Sequence, residues 1–201
     1  MAKASSGSGP PVLLLHAWWG LNPMIKQLAD RLAADGFTVL APDLFEGKVL
    51  TTIADAQANS QVADGRSAEI KALAAAGLGE LLVRPESRGE SIAVVAVSFG
   101  AWYASLMAKE RPEVKALVMV YGGAFVPGGT AAYLGHFAED DPFDDSSEVP
   151  ALQAALGERG EAHVYPGTKH WFFEPDRPEY QAEAAELAYR RTVEFLRRHI
   201  G

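Results

Sequence analysis

Ser98 lies in the stretch Ala96-Val97-Ser98-Phe99-Gly100, directly after the apolar run Ile92–Val97 and directly before a helical pattern. A serine on a sharp strand-to-helix turn holds its hydroxyl clear of the sheet. It also sits beside a helix N-terminus, where free N–H groups favour negative charge. The spacing is that of a G-x-S-x-G nucleophile elbow with Ala96 in place of the first glycine. A plain helix N-cap serine would look the same over these five residues. A lone hydroxyl is a weak nucleophile. It needs a base within hydrogen-bond reach and a carboxylate to orient that base, here in the chain order Ser, Asp or Glu, His.

Five histidines are available. His16, His136 and His163 lie in or beside strand-like runs, and His199 ends the last helix, where a cation suits the dipole; all four read as structural. His170 differs. It follows the run Ala162–Tyr165, closes the loop Pro166-Gly167-Thr168-Lys169-His170, and falls late in the chain. The acid must lie between Ser98 and His170, just past a strand. Asp141, before the turn-stiffening Pro142, fits that place, and spacing alone leaves its neighbour Asp140 as a second candidate. The acids Asp140, Asp141, Asp144 and Asp145 also suit a solvated loop or a weak cation site, although they lack EF-hand spacing. Oxyanion donors are expected from the backbone N–H of Phe99 and from the loop His16-Ala17-Trp18-Trp19-Gly20, with Trp18 the first choice. Trp19 is placed to wall a substrate pocket.

These residues need a frame that brings them together. Short apolar runs alternate with amphipathic stretches: strands at Val12–Leu15, Phe37–Ala41, Ile92–Val97, Ala116–Tyr121, Ala131–Phe137 and Ala162–Tyr165. Helices are expected at Pro23–Asp35, 51–63, around Ile70–Leu81, Phe99–Lys109, Val149–Leu156 and Glu179–His199. Ile92–Val97 is apolar throughout, as a parallel strand buried on both faces must be. The alternation predicts an α/β fold, a mostly parallel sheet with helices on both faces, whose chemistry sits beyond the carboxyl ends of the strands. Residues 1–9 read as a flexible N-terminal tail and 10–201 as a single domain. The loop Phe45–Gly65 is expected to border the pocket.

Composition narrows the function. The chain has 201 residues, 48% hydrophobic and 22% charged, which is the balance of an ordinary globular protein. Eighteen Lys and Arg against 26 Asp and Glu leave a net charge of −8, which argues against nucleic-acid binding and against an anionic membrane surface. The absence of cysteine removes disulfides, thiolate metal sites and a cysteine nucleophile, and fits a reducing compartment. No apolar run approaches the length of a membrane span. A cytoplasmic protein is expected, with no cofactor and no metal.

The stretches LLLHAWWGLN (13–22), FTVLAPDLFEGK (37–48), VVAVSFGAWYA (94–104), YLGHFAEDDPF (133–143) and YPGTKHWFFEPDRPEY (165–180) resemble the dienelactone hydrolase family, a branch of the α/β-hydrolase fold. The resemblance implies an esterase acting on small esters or lactones. It favours Asp141 over Asp140, because the family's acid is followed two positions later by an aromatic, here Phe143. It supports His170 as the base and implies that Arg177 holds a substrate carboxylate. The family's best-known members carry a cysteine nucleophile and a nearby glutamate; this chain has Ser98 and Ala17 instead. The expectation is therefore a Ser98–His170–Asp141 hydrolase working through an acyl-enzyme. Two alternatives are a catalytically silent binding protein on the same fold, and acyl transfer or perhydrolysis by the same triad. A nucleotide-binding protein would want a glycine-rich turn after the first strand, where only Gly20 is present.

Overall fold

The computed structural model describes residues 3–87 and 91–201. Its seven strands are β1 (Lys3–Ser6), β2 (Pro11–Leu15), β3 (Thr38–Pro42), β4 (Ile92–Val97), β5 (Val114–Val120), β6 (Ala132–Asp140) and β7 (Gly160–Lys169). They form one sheet in the order β1-β3-β2-β4-β5-β6-β7. Every neighbouring pair is parallel except β1 with β3. The helices are α1 (Pro23–Ala34), α2 (Ile53–Gly65), α3 (Ser67–Leu82), α4 (Gly100–Glu110), α5 (Val149–Leu156) and α6 (Ala182–Ile200).

The unbroken apolar strands are explained by two cores. Val12 and Leu14 of β2, and Ala93, Val95 and Val97 of β4, pack on one face with Ile25 and Leu28 of α1 and Phe195 and Leu196 of α6. The alternate residues Leu13, Leu15, Val94 and Ala96 pack on the other face with Leu78 of α3 and Ala104 and Met107 of α4. Successive side chains of a strand point to opposite faces, so a strand covered on both sides needs apolar residues at every position. Each fully buried leucine contributes about 1.5–3 kcal/mol relative to an exposed one.

Local chemistry sets the element ends. Asn22 caps α1 by accepting the Ile25 amide at 3.0 Å, and Pro23 opens the helix. Gly36, at φ +98°, lets the chain turn out of α1 into β3. Thr52 caps α2 through the Asp55 amide at 3.1 Å.

Two expectations are corrected here. The expected tail is in part a strand: Lys3–Ser6 pairs antiparallel with β3, from Lys3 opposite Pro42 to Ser6 opposite Val39. Residues 1 and 2 of that tail lie outside the described residues. A short polar segment gives no apolar signal, yet it can borrow its hydrogen bonds from an existing edge. The loop expected before His170 is also strand. β6 and β7 stay paired past the apolar run, with a register shift that sets Asp140 opposite Lys169. That extension matters, because it carries Asp141 and His170 on adjacent strand ends. Among the described residues, no helix is long and apolar enough to cross a membrane.

Candidate active site

Strands β2 and β4 lie side by side, with Leu15 opposite Ala96. The order of connections reverses between them, which is where an open parallel sheet forms its crevice. The loop carrying Trp18 leaves β2 there, and Ser98 leaves β4. Ser98 has φ +48°, in the left-handed region that side chains other than glycine rarely adopt. Such a conformation costs on the order of 1–3 kcal/mol and persists only when its surroundings hold it. The Ser98 amide donates to Val120 O at 2.9 Å, and Ser98 O accepts the Ala101 amide at 2.8 Å. A Cβ on Gly100 would lie 2.8 Å from Leu15 Cβ and 2.9 Å from Leu15 O, so only glycine lets α4 start this close to β2. Ala96, by contrast, is an ordinary buried core residue of β4.

His170 follows β7 directly. Its Nδ1 lies 2.7 Å from Asp141 Oδ2, and its Nε2 lies 3.5 Å from Ser98 Oγ. The Asp141 and His170 side chains are 0% and 5% exposed. Asp141 Oδ1 accepts the amides of Phe143 at 2.9 Å and Asp144 at 3.2 Å. The acid's proton acceptance is thus spent on fixed donors, and the imidazole is oriented with Nε2 toward the serine. The Ser98–His170 separation is the outer limit of a hydrogen bond. Such contacts tighten when a substrate is bound. Asp140 points elsewhere, toward Lys169 at 3.8 Å on the exposed edge.

The Phe99 amide follows Ser98 at the mouth of α4, and Trp18 is half-buried on the β2 loop. Among the described residues neither backbone N–H has an acceptor within the chain. Trp19 and Arg177, expected to wall the pocket and to hold a carboxylate, are brought together with each other. Trp19 is 1% exposed, packed under Trp18 and Trp171 at ring separations of 5.3 and 5.7 Å. The Arg177 guanidinium caps the Trp19 ring at 4.0 Å and pairs with Asp176 at 3.3 Å. Neither residue lines the cleft at Ser98. The alternation of the loop after β2 turns one tryptophan inward, and the cation follows the buried ring.

That cleft, of about 510 Å³, is lined by Asp64, Ser67, Ser98, Phe99, Trp102, Tyr103 and Gly122. Asp64 lies within the segment expected to border the pocket, near the end of α2 rather than in a loop.

A buried polar layer supports these groups. His16 Nε2 accepts the Leu44 amide at 3.0 Å, so Nδ1 carries the proton and donates to Ala17 O at 2.8 Å. This ring fixes the loop that carries Trp18. Burial above all lowers its pKa to about 4. Tyr121, at φ +42°, sets its ring 4.4 Å from His170 at a tilt of 40° and donates its hydroxyl to Glu174 Oε1 at 2.9 Å. Glu174 is 1% exposed, and burial pushes its carboxyl up to about 8. Trp171, at φ +72°, and Phe143 complete the aromatic surround of His170. Sequence reasoning missed Tyr121 and Glu174. The Gly122-Gly123 pair at the end of β5 was the available signal for a forced backbone at Tyr121; nothing marked Glu174.

Asp141, Asp144 and His170 offer three ligand atoms within 4.8 Å of one another. The oxygens concerned already accept protein donors: Asp141 from His170, Phe143 and Asp144, and Asp144 Oδ2 from the Gly122 amide. The group is accounted for as a hydrogen-bonded brace.

The family model described as the Dienelactone hydrolase family matches residues 1–200. The "Putative carboxymethylenebutenolidase" of Azospirillum brasilense is 29% identical over 98% of this chain and 91% of its own length. "Protein usf" of Aquifex pyrophilus is 27% identical over 96% of this chain and 89% of its own. Among solved structures, the "Putative Dienelactone Hydrolase" of Klebsiella pneumoniae superposes with a TM-score of 0.79 at 22% identity, covering 96% of this chain and 88% of that one. The chain therefore has the expected α/β-hydrolase fold.

Proposed function

Since the chain belongs to the dienelactone hydrolase family, we propose that it hydrolyses small esters or lactones by a Ser98–His170–Asp141 triad. The observation that carries this reading is the unbroken line from Ser98 Oγ to His170 to Asp141 at the end of three parallel strands.

Ser98 Oγ attacks the substrate carbonyl carbon while His170 Nε2 takes the hydroxyl proton. Negative charge moves to the carbonyl oxygen, where the Phe99 and Trp18 amides donate to it. Asp141 holds the Nδ1 proton in place and balances the imidazolium. The tetrahedral species collapses, the C–O bond to the leaving group breaks, and His170 returns the proton to that alkoxide. In a lactone the leaving group stays attached to the acyl chain. Water then attacks the acyl-enzyme with His170 as base, releasing the acid and restoring Ser98.

Ser98, His170 and Asp141 act through their side chains, and Phe99 and Trp18 through backbone amides. The test is hydrolysis of p-nitrophenyl acetate by the wild type and by Ser98→Ala. In a variant with an unchanged melting curve, kcat should fall by about 10³-fold or more. Comparable turnover in the two proteins would reject the triad.

A further inference from the structure

The lining of the Ser98 cleft says which esters fit it. Phe99 at the N-cap of α4, with Trp102 and Tyr103 on its first turn, supplies three aromatic rings, and Asp64 supplies one carboxylate from α2. The Phe99 ring meets Tyr103 at 5.4 Å and Phe45 at 5.0 Å, which makes the wall rigid. Trp102 is 57% exposed. An indole left this wet beside a reactive hydroxyl is surface available to a substrate ring.

The charge balance points the same way. Among the described residues, no lysine or arginine lines this cleft. Three cations on adjoining segments are occupied, while Lys48 is exposed on the segment before α2 and is not among the residues lining the cleft. Arg66 is tied to Glu46 and Glu69 at 2.7 and 2.8 Å, Arg177 is on Trp19 with Asp176, and Lys169 faces Asp140. Behind His170 lie two more carboxylates, Asp141 and Asp144. A substrate with its own carboxylate would enter beside Asp64, with no lysine or arginine among the described lining residues to receive it.

We propose that this cleft selects uncharged esters bearing a flat apolar group, and that Asp64 is the specificity residue that turns carboxylate-bearing substrates away. The proposal rests on the hydrolase reading above and names the substrate class of that same site. It departs from the carboxylate-holding role that the family resemblance assigned to Arg177. Like charges at an exposed position repel modestly and are screened by salt, so the effect is a selectivity of a few-fold per charge rather than an absolute gate.

The test compares two esters of equal acyl length and identical leaving group, p-nitrophenyl hexanoate and the mono-p-nitrophenyl ester of adipic acid. A third, p-nitrophenyl 3-phenylpropanoate, reports on the aromatic wall. The wild type is expected to favour hexanoate over the adipate ester in kcat/KM by about ten-fold at low salt. Asp64→Asn should narrow that ratio by roughly two- to five-fold, and Asp64→Lys should narrow it further, with both effects shrinking at high salt. Trp102→Ala should raise KM for the phenylpropanoate more than for hexanoate. Equal or faster use of the adipate ester by the wild type, or Asp64 variants that leave the ratio where it was, would overturn the proposal while leaving the hydrolase reading standing. Failure to hydrolyse any of the three would overturn both.

Discussion

Asp141 Oδ2 meets His170 Nδ1 at 2.7 Å, and the other oxygen of the same carboxylate is pinned by two backbone amides. The acid therefore cannot rotate away from the imidazole without losing both amide bonds. This holds the His170 Nδ1 proton toward the carboxylate and turns Nε2 to Ser98, the arrangement that the proposed triad requires. Asp141→Asn can present an NH2 group to Nδ1 and trap the wrong tautomer. A fall in kcat of about 10³- to 10⁴-fold is expected. Asp140→Asn should stay within about two-fold, since Asp140 faces Lys169 on the surface. Steady-state kinetics on both variants checks this.

Gly100 is the second point of strain relief. An added methyl would press on Leu15 Cβ, Leu15 O and His16 O at 2.8, 2.9 and 3.0 Å, and two of these atoms are backbone. Gly100→Ala should cost about 1–3 kcal/mol, by analogy with overpacked cores. It should also lower kcat, because α4 and Ser98 must shift together. Thermal melts and kinetics on the same preparation would register both effects.

Glu174 makes stability depend on pH. Its folded pKa of about 8 lies above the ordinary glutamate value of 4.5, chiefly through burial. A raised folded pKa means that the folded state holds the proton more tightly. The associated stability is complete below about pH 4.5 and is lost progressively as pH rises toward 8. Glu174→Gln keeps an acceptor for the Tyr121 hydroxyl and removes the titration. It should overtake the wild type in urea midpoint near pH 8–9 and lose that advantage near pH 5. A parallel shift at all pH values would contradict the assignment.

His136 acts in the opposite direction. Its ring is buried between the Tyr165 hydroxyl at 2.8 Å and Thr192 Oγ1 at 3.0 Å. Thr192 donates onward to Ala188 O, so His136 Nε2 donates to it and Nδ1 accepts from Tyr165. Desolvation lowers the His136 pKa to about 3. A depressed pKa on a base gives stability that is complete above about pH 6.5 and lost as pH falls toward 3. His136→Gln should lower stability at pH 7 and flatten the acid limb of the stability curve, as read from urea midpoints between pH 7 and 4.

Much of this site was readable from the residues, for identifiable reasons. Ser98, Asp141 and His170 follow strand ends, and strands buried on both faces announce themselves by unbroken apolar runs such as Ile92–Val97. What the residues could not convey was geometry between segments. Trp18 and Trp19 are adjacent and identical in type, so only the path of the loop decides which one turns inward. Arg177 is drawn onto that inward ring, a contact 158 positions away in the chain. Tyr121 and Glu174 meet across 53 positions, and neither has a neighbour that marks the pairing. The strand at Lys3–Ser6 is polar and leans on β3 for its ladder, so no apolar pattern betrays it.

Covalent labelling interrogates the nucleophile itself. Incubation with a fluorophosphonate, followed by proteolysis and mass spectrometry, should place a single stoichiometric phosphonyl adduct on the peptide containing Ser98. Labelling should be lost in Ser98→Ala and slowed by about 10³-fold or more in a His170→Ala variant. A wild-type protein that remains unmodified, or that carries the adduct on another residue while still hydrolysing esters, would contradict the account.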